Sequence, residues 1–283
     1  MLPLILDPLL DSWLREDLGR GDRTTDSLYP DQVSGAGQAY WVAKSGGVVA
    51  GLSIAARVFQ RLEPQASLIG LVREGEQCHP GQKIAELEAS YPTLLMGERV
   101  ALNLAMRLSG IATLTHTYRE AIADLPAQLV DTRKTTPGLR LLEKYATQVG
   151  GAINHRFGLD EAVMLKDNHI AAAGGITKAV NLVRSRIPMT ISIEVETENL
   201  AQVEEAARLN LQIIMLDNMP LETMRQAVPI IRHYSPQTKI EASGNISLEN
   251  IRSVAETGVD YISTSAMVTR SPWLDLSMRI NHA

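Results

Sequence analysis

Six short apolar runs in the second half of the chain end on, or lie beside, side chains able to bind ions. Arg133 and Lys134 follow the first run, His155 and Arg156 precede the second, and Lys166 ends it. Glu194 and Glu196 end the third, Asp217 the fourth, Ser243 and Gly244 the fifth, and Ser263 to Ser265 the sixth. Arginine grips a carboxylate through a planar two-pronged fork, so Arg133 and Arg156 are expected to recognise carboxylates. Lys134 and Lys166 can bring compact positive charge to carboxylate or phosphate oxygens. Glu196 and Asp217 offer the oxygen ligands that magnesium prefers. Ser243, Gly244 and Asn245 stand just before a helix expected to begin near Ser247, a plausible N-cap, where free backbone N–H groups and the helix dipole favour a phosphate. A rim that is half basic and half acidic suits two ligands: a dianion, and a magnesium-bound pyrophosphate ester.

Plainer readings stand beside these. A single Arg or Lys in a loop is usually a solvated charge, and it is their recurrence at successive run ends that argues otherwise. Glu196 and Asp217 could pair with the neighbouring lysines instead of a metal. His155 alone would more often be a hydrogen-bonded structural histidine than a catalytic one, and Ser-Gly-Asn marks ordinary turns.

The elements that must position these residues follow from the pattern. The runs Gln128 to Lys134, Ala162 to Asn168, Thr190 to Thr197, Gln212 to Asn218, Lys239 to Gly244 and Asp260 to Ser265 are separated by helix-like stretches such as Asn199 to Leu209 and Ser247 to Glu256. Six strand–helix units predict an α/β barrel, incomplete because an ideal one has eight. A doubly wound sheet is built from the same repeats and remains open. The barrel is preferred because every run ends in functional residues, and barrels place their sites at the carboxyl ends of the strands. Upstream, from about Gly35 to Ser90, short apolar runs alternate with Gly-rich turns, which predicts an antiparallel, sheet-rich α+β domain over residues 1–112. Leu94 to Ile122 reads as a helix interrupted near Gly110. The barrel is expected to span 113–269, and the C-terminal segment 270–283 to pack back on the first domain.

Bulk properties bound the partners. A chain of 283 residues that is 45% apolar and carries a formal net charge of -5 can bury a core, and it lacks the basic surface of a general nucleic-acid binder. The opening MLPLILDPLL carries no basic n-region and includes Asp7 and two prolines, unlike a secretory signal. No run approaches the roughly 18 apolar residues of a membrane helix. The single cysteine, Cys78, excludes a disulfide framework within one chain. These features predict a cytoplasmic protein.

Several blocks resemble the quinolinate phosphoribosyltransferase family. They are DTRKTTPGLR (Asp131 to Arg140), LEKYATQVGGAINHRFGL (Leu142 to Leu159), LKDNHI (Leu165 to Ile170), EVE (Glu194 to Glu196), MLDNM (Met215 to Met219), EASGNI (Glu241 to Ile246) and GVDYIS (Gly258 to Ser263), in family order. EDLGRGDRTT (Glu16 to Thr25) and ERVALNLAMRLSGIAT (Glu98 to Thr113) extend the likeness over nearly the whole chain. The resemblance implies an antiparallel sheet-and-helix domain joined to an incomplete α/β barrel, in a homodimer with shared active sites. It implies that Thr132, Arg133, Lys134, His155, Arg156 and Lys166 surround quinolinate, with Arg99 reaching in from the partner subunit. Glu196 and Asp217 would lie near the ribose and magnesium, their spacing selecting Glu196 over Glu194. Ser243 to Asn245 and Thr264, Ser265 and Ala266 would hold the 5′-phosphate of phosphoribosyl pyrophosphate. Two positions depart from the family. Asn245 stands where glycine is common, and asparagine tolerates the positive φ such a turn needs. Thr269-Arg270-Ser271 stands where Thr-His-Ser is common.

The implied reaction is transfer of the phosphoribosyl group to the ring nitrogen, followed by loss of carbon dioxide, with Lys134, Glu196 and Asp217 as catalytic residues and no organic cofactor. Three other readings share parts of this pattern: a related protein tied to molybdenum handling, a Schiff-base lyase using Lys134 or Lys166, and a silent binder of pyridine carboxylates. The acidic pair argues against the last, because binding a dianion gains nothing from nearby carboxylates.

Overall fold

The computed structural model describes residues 2–31 and 35–281, so the last two residues of the 270–283 segment lie outside the description. The chain divides into two compact units, one formed by 1–114 with 271–283 and the other by 115–270.

The first unit opens with helix α1 (Pro3–Leu18), which buries Leu6, Leu10 and Leu14 along one stripe. Helix α2 (Arg23–Leu28) follows, capped by Asp22, whose side chain accepts the amides of Thr24 and Thr25. Strands β1 (Ala36–Ala43) and β2 (Gly47–Val48) lead to helix α3 (Leu52–Leu62), and β3 (Ser67–Gly70), β4 (Gln77–Cys78) and β5 (Lys83–Ser90) precede the long helix α4 (Tyr91–Glu120). A four-stranded antiparallel sheet forms in the order β12-β1-β5-β3, with the C-terminal strand β12 (Leu276–Ile280) at its edge, and β2 pairs with β4. Trp41 on β1 and Phe59 on α3 anchor the apolar interior. Arg57 and Arg61 of α3 reach Asp7 and Asp11 of α1 through two-pronged bonds of 2.6–3.0 Å.

Helix α4 runs unbroken through Gly110, contrary to the interruption expected there. A glycine stands at this position because the chain passes very close: a Cβ on Gly110 would run into the Pro272 carbonyl oxygen and lie 3.1 Å from the Cα of Trp273. Gly110 marks a crossing rather than a break.

The second unit contains β6 (Gln128–Val130), α5 (Arg140–Val149), β7 (Val163–Leu165), α6 (Asp167–Ala173), α7 (Ile176–Arg184), β8 (Ile193–Thr197), α8 (Leu200–Ala207), β9 (Ile213–Asp217), α9 (Leu221–Tyr234), β10 (Lys239–Ser243), α10 (Ile251–Ala255), β11 (Tyr261–Ser263) and α11 (Ala266–Thr269). Each of the six apolar runs contains one strand. The strands form one parallel sheet in the order β6-β11-β10-β9-β8-β7. Neighbours in space are neighbours in sequence, and the last strand pairs with the first. That order is a barrel opened at one seam, and it rules out the doubly wound alternative, whose strand order reverses at a switch point. At the seam β6 pairs instead with a single residue, Ile153, through a parallel bridge to Val130.

Side chains alternate across each strand. Val195, Ile214, Leu216, Ile240, Ala242 and Ile262 face outward and are completely buried. They meet a helical layer that contributes Val203, Ala206, Ala227 and Ile231. The alternate positions point inward and carry the polar residues.

Replacing Gly110 with alanine should destabilise the fold by on the order of 1–3 kcal/mol or more, since backbone and not a flexible side chain blocks the added methyl. Chemical denaturation measures this, and an unchanged midpoint would refute the crossing as the reason for glycine.

Candidate active site

The inward positions of the barrel converge on a cavity of about 770 Å³ at the carboxyl ends of the strands. Its walls include Met164 and Lys166 from the β7 end, Glu196 from β8, Met215 and Asp217 from β9, Glu241 and Ser243 from β10, and Ser263 from β11. Thr132, Arg133 and Lys134 after β6, and His155 and Arg156 before β7, complete it. Residues from both edges of the sheet thus line one space, which requires the sheet to curl.

One buried carboxylate organises the basic side. Asp131, directly after β6, forms an ion pair with the ammonium of Lys144 on α5, both completely enclosed. Its other contacts are the Thr147 hydroxyl at 2.9 Å, the Asn154 amide at 2.7 Å and the His155 backbone N–H at 2.8 Å. Lys144 also donates to the His155 carbonyl at 2.8 Å, and burial lowers the proton affinity of its amine. This network ties the segment carrying His155 and Arg156 to the edge strand.

Arg133 and Arg156 lie close enough that burial, and next the charge of Arg133, lower the Arg156 guanidinium below its ordinary value. Arg156 donates to the Ala162 carbonyl at 2.7 Å, and the buried Nε of Arg133 has no hydrogen-bond partner. Among the described residues neither guanidinium is paired with a carboxylate. Lys134 is exposed, and its backbone N–H donates to the Thr132 hydroxyl at 3.0 Å.

On the acidic side, the Lys166 ammonium forms a short ion pair with Glu196. The lysine pairing weighed against metal binding is therefore present for Glu196. Asp217 instead accepts from the Asn218 side chain at 2.8 Å. Burial raises the proton affinity of Glu196 against the pull of Lys166, and Asp217 adds to the rise.

Deeper in the barrel, His155 Nε2 lies 3.1 Å from Glu194 and 3.6 Å from Glu241. Burial opposes a charge on the imidazole while the two carboxylates favour it, with a net upward shift. Nδ1, however, accepts the Arg156 amide at 2.8 Å. A nitrogen that accepts cannot carry a proton, so the bonding assigns the neutral Nε2–H form donating to Glu194. The same assignment argues against a metal at these three residues, since a neutral histidine that binds through Nε2 must keep a proton on Nδ1. Burial, and then the neighbouring Glu194, push Glu241 up to about 8.

The turn after β10 keeps its shape with asparagine: Gly244 has φ 94° and Asn245 φ 52°. Gly244 is obligatory because any Cβ would meet Asn218, whose backbone nitrogen would be 2.9 Å away. The helix expected from Ser247 begins only at Ile251 and is five residues long. Asn250 closes a turn first, accepting the Ser247 amide at 2.8 Å. Any anion at this turn must rely on local N–H groups and the Ser243 hydroxyl rather than on a helix dipole. Thr264, Ser265 and Ala266 do not line the cavity; the Thr264 N–H is bonded to the Val130 carbonyl at 3.1 Å and its side chain is buried. Arg99 is exposed on α4 of the first unit.

Sequence reasoning overlooked Glu241 and Lys144. Glu241 had a signal, since it stands two positions before Ser243 on a strand and must share its face. Lys144 had none beyond being a charged residue on an amphipathic helix.

A parallel barrel whose carboxyl end gathers unpaired guanidinium groups opposite carboxylates defines a protein built to hold anionic small molecules. Family models for the C-terminal and N-terminal domains of quinolinate phosphoribosyl transferase match residues 111–279 and 22–109, and the chain belongs to that family. It is 56% identical to a Synechocystis sp. protein named "Probable nicotinate-nucleotide pyrophosphorylase (carboxylating)", over 98% of this chain and 93% of that one. It is 39% identical to the human nicotinate-nucleotide pyrophosphorylase (carboxylating), over 98% and 92%. The solved structure of NadC from Streptococcus pyogenes superposes with a TM-score of 0.93 at 40% identity, covering 99% of this chain and 98% of that one.

Two outcomes follow from the buried charges. Lys144→Met leaves Asp131 enclosed without its cation and should cost about 3–5 kcal/mol in a denaturation experiment; a loss under 1 kcal/mol would contradict the pairing described. Glu241 keeps its proton when folded to about 8 and releases it near 4.5 when unfolded. Between those values the folded state binds more protons, so stability falls as pH rises, by at most about 1.4 kcal/mol per pH unit. Wild-type protein should lose more thermal stability over this range than Glu241→Gln, and parallel curves would show that Glu241 is not the group responsible.

Proposed function

We propose that this chain is an enzyme joining quinolinate to phosphoribosyl pyrophosphate, releasing pyrophosphate and carbon dioxide and forming nicotinate mononucleotide for NAD biosynthesis. The observation that carries the reading is the pair Arg133 and Arg156, facing one cavity without carboxylate partners and opposite Glu196 and Asp217. Two unpaired guanidinium groups side by side are unfavourable unless an anion joins them, and a pyridine dicarboxylate supplies two carboxylates at suitable spacing. Lys166 exchanges Glu196 for a substrate carboxylate. The ring nitrogen is thereby aimed at the ribose carbon bearing pyrophosphate, and orientation of this kind supplies up to roughly 7–11 kcal/mol in favourable cases. Lys134, exposed at the rim, approaches the departing pyrophosphate. Glu196 and Asp217 favour the positive character that grows on the ribose.

The same two carboxylates suit Mg²⁺, being oxygen donors, with Glu196 raised by burial and, to a lesser extent, by the charge of Asp217. Mg²⁺ held there with substrate phosphates would offset charge on the leaving pyrophosphate. The Ser243 to Asn245 turn, with Thr264 to Ala266 behind it, receives the 5′-phosphate. The reading extends to a cytoplasmic homodimer in which the exposed Arg99 of each subunit enters the cavity of the other. A buried free thiol at Cys78 is in keeping with a reducing compartment. A Schiff-base lyase fits less well: Lys166 is ion-paired, Lys134 is exposed, and the enclosed Lys144 does not line the cavity.

Purified protein mixed with quinolinate, phosphoribosyl pyrophosphate and Mg²⁺ should yield nicotinate mononucleotide, and a folded dimer giving no product would defeat the assignment. Arg133→Ala should weaken quinolinate binding roughly 10- to 100-fold, the loss of a charged hydrogen-bonded pair, while the protein stays folded. Calorimetric titration measures it, and unchanged affinity removes Arg133 from the site.

A further inference from the structure

The cavity floor holds two carboxylates that the binding of a dianion does not need. Glu194 and Glu241 face the barrel interior, are 3% and 1% exposed, and lie with His155 Nε2 in one cluster whose ligand atoms are within 4.8 Å of one another. Each has one oxygen, Oε1, buried without a hydrogen-bond partner. The neutral His155 donates its only N–H to Glu194 and has no proton to give Glu241, whose nearer oxygen is 3.6 Å away. Of the pair only Glu241 lines the cavity, flanked by Met215 and Ser263. The charged and titratable groups facing Glu241 are Glu194 and Glu196 from β8 and His155 from the segment beside β6. Two adjacent buried carboxylates next to an incoming dianion cannot both be ionised without severe repulsion, and a shared proton relieves it.

We propose that Glu241 is a catalytic residue, the general acid that delivers the proton replacing carbon dioxide on the pyridine ring. The assignment rests on the phosphoribosyl transfer proposed above and adds the step after it. Once the ring nitrogen is quaternised, the bond between the ring carbon and its carboxylate breaks. The electron pair stays on that carbon, stabilised by the adjacent cationic nitrogen, and carbon dioxide departs. The Glu241 carboxyl gives its proton to the carbon, forming the new C–H bond and becoming a carboxylate. Glu241 recovers a proton from water after the product leaves, driven by Glu194 beside it. Met164, Met215 and Ser263 line the cavity together with Glu241. Burial holds that proton in place at neutral pH, so the acid is loaded before substrate arrives.

The test follows one turnover of the full-length enzyme with carboxyl-labelled quinolinate, phosphoribosyl pyrophosphate and Mg²⁺, measuring pyrophosphate and carbon dioxide release separately. In Glu241→Gln, which keeps shape and polarity but cannot donate the proton as an acid, carbon dioxide release should slow at least tenfold relative to pyrophosphate release, with quinolinate affinity within twofold of wild type. Carbon dioxide release at the wild-type rate, or loss of quinolinate binding from a folded variant, overturns the assignment. Should glutamine prevent folding, the wild-type enzyme decides the matter: its carbon dioxide step should decline as pH rises through about 8 while pyrophosphate release does not, and a flat profile overturns the proposal. Absence of any product from the wild type would instead defeat the proposed reaction itself.

Discussion

A carboxylate placed where a strand is missing determines the rest of this molecule. Strand β7 does not pair with β6, and the seam would leave backbone groups of β6 unsatisfied. The segment around Ile153 occupies that edge, and Asp131 fixes it there by accepting from Lys144, Thr147, Asn154 and the His155 amide. Removing either partner would leave the other as an uncompensated charge enclosed in the protein. The pair therefore closes the barrel and positions the two residues that follow, Arg156 in the cavity wall and His155 with its ring against Glu194 and Glu241.

Charge is separated within the cavity by the order of the strands. Basic groups come from the first strand end and the seam segment, acidic groups from β8, β9 and β10. Lys166 bridges the two sides through Glu196. This bridge neutralises one carboxylate, while Arg133 and Arg156 lie close together, neither bonded to a carboxylate, and Arg156 feels Glu194 and Glu196 less than it feels Arg133. The imbalance favours an anion on one side of the cavity and leaves room for a cation or growing positive charge on the other.

Much of this was legible beforehand. Apolar runs with polar ends gave all six barrel strands, because parallel strands enclosed on both sides must be short and apolar and must end where the site begins. Asn245 could be reconciled with a tight turn from its tolerance of positive φ. The errors have physical sources. Gly110 looked like a helix breaker because glycine is intrinsically poor in helices, yet close passage of another backbone outweighs that propensity. Ser247 looked like an N-cap, but a turn intervenes: Asn250 stands at the helix start with its side chain turned back to accept the Ser247 amide. Helices α1 and α3 escaped notice although each carries a local apolar stripe, Leu6, Leu10 and Leu14 in the first and Ile54, Ala55, Val58 and Phe59 in the second, because Gly-rich turns around α3 were read as part of a sheet and the first residues were weighed only as a signal segment. The His155 ring orientation could not be read from sequence at all, since it depends on which backbone amide meets Nδ1.

The alternation of β8 separates substitution from insertion as kinds of genetic change. Val195 lies between two lumen glutamates and points into the helix layer. Removing one residue upstream in that strand would rotate the valine inward and drive both glutamates into an apolar layer with no cation to meet them. In this segment a frame-preserving deletion is therefore graver than the loss of either glutamate, and length is constrained more tightly than composition.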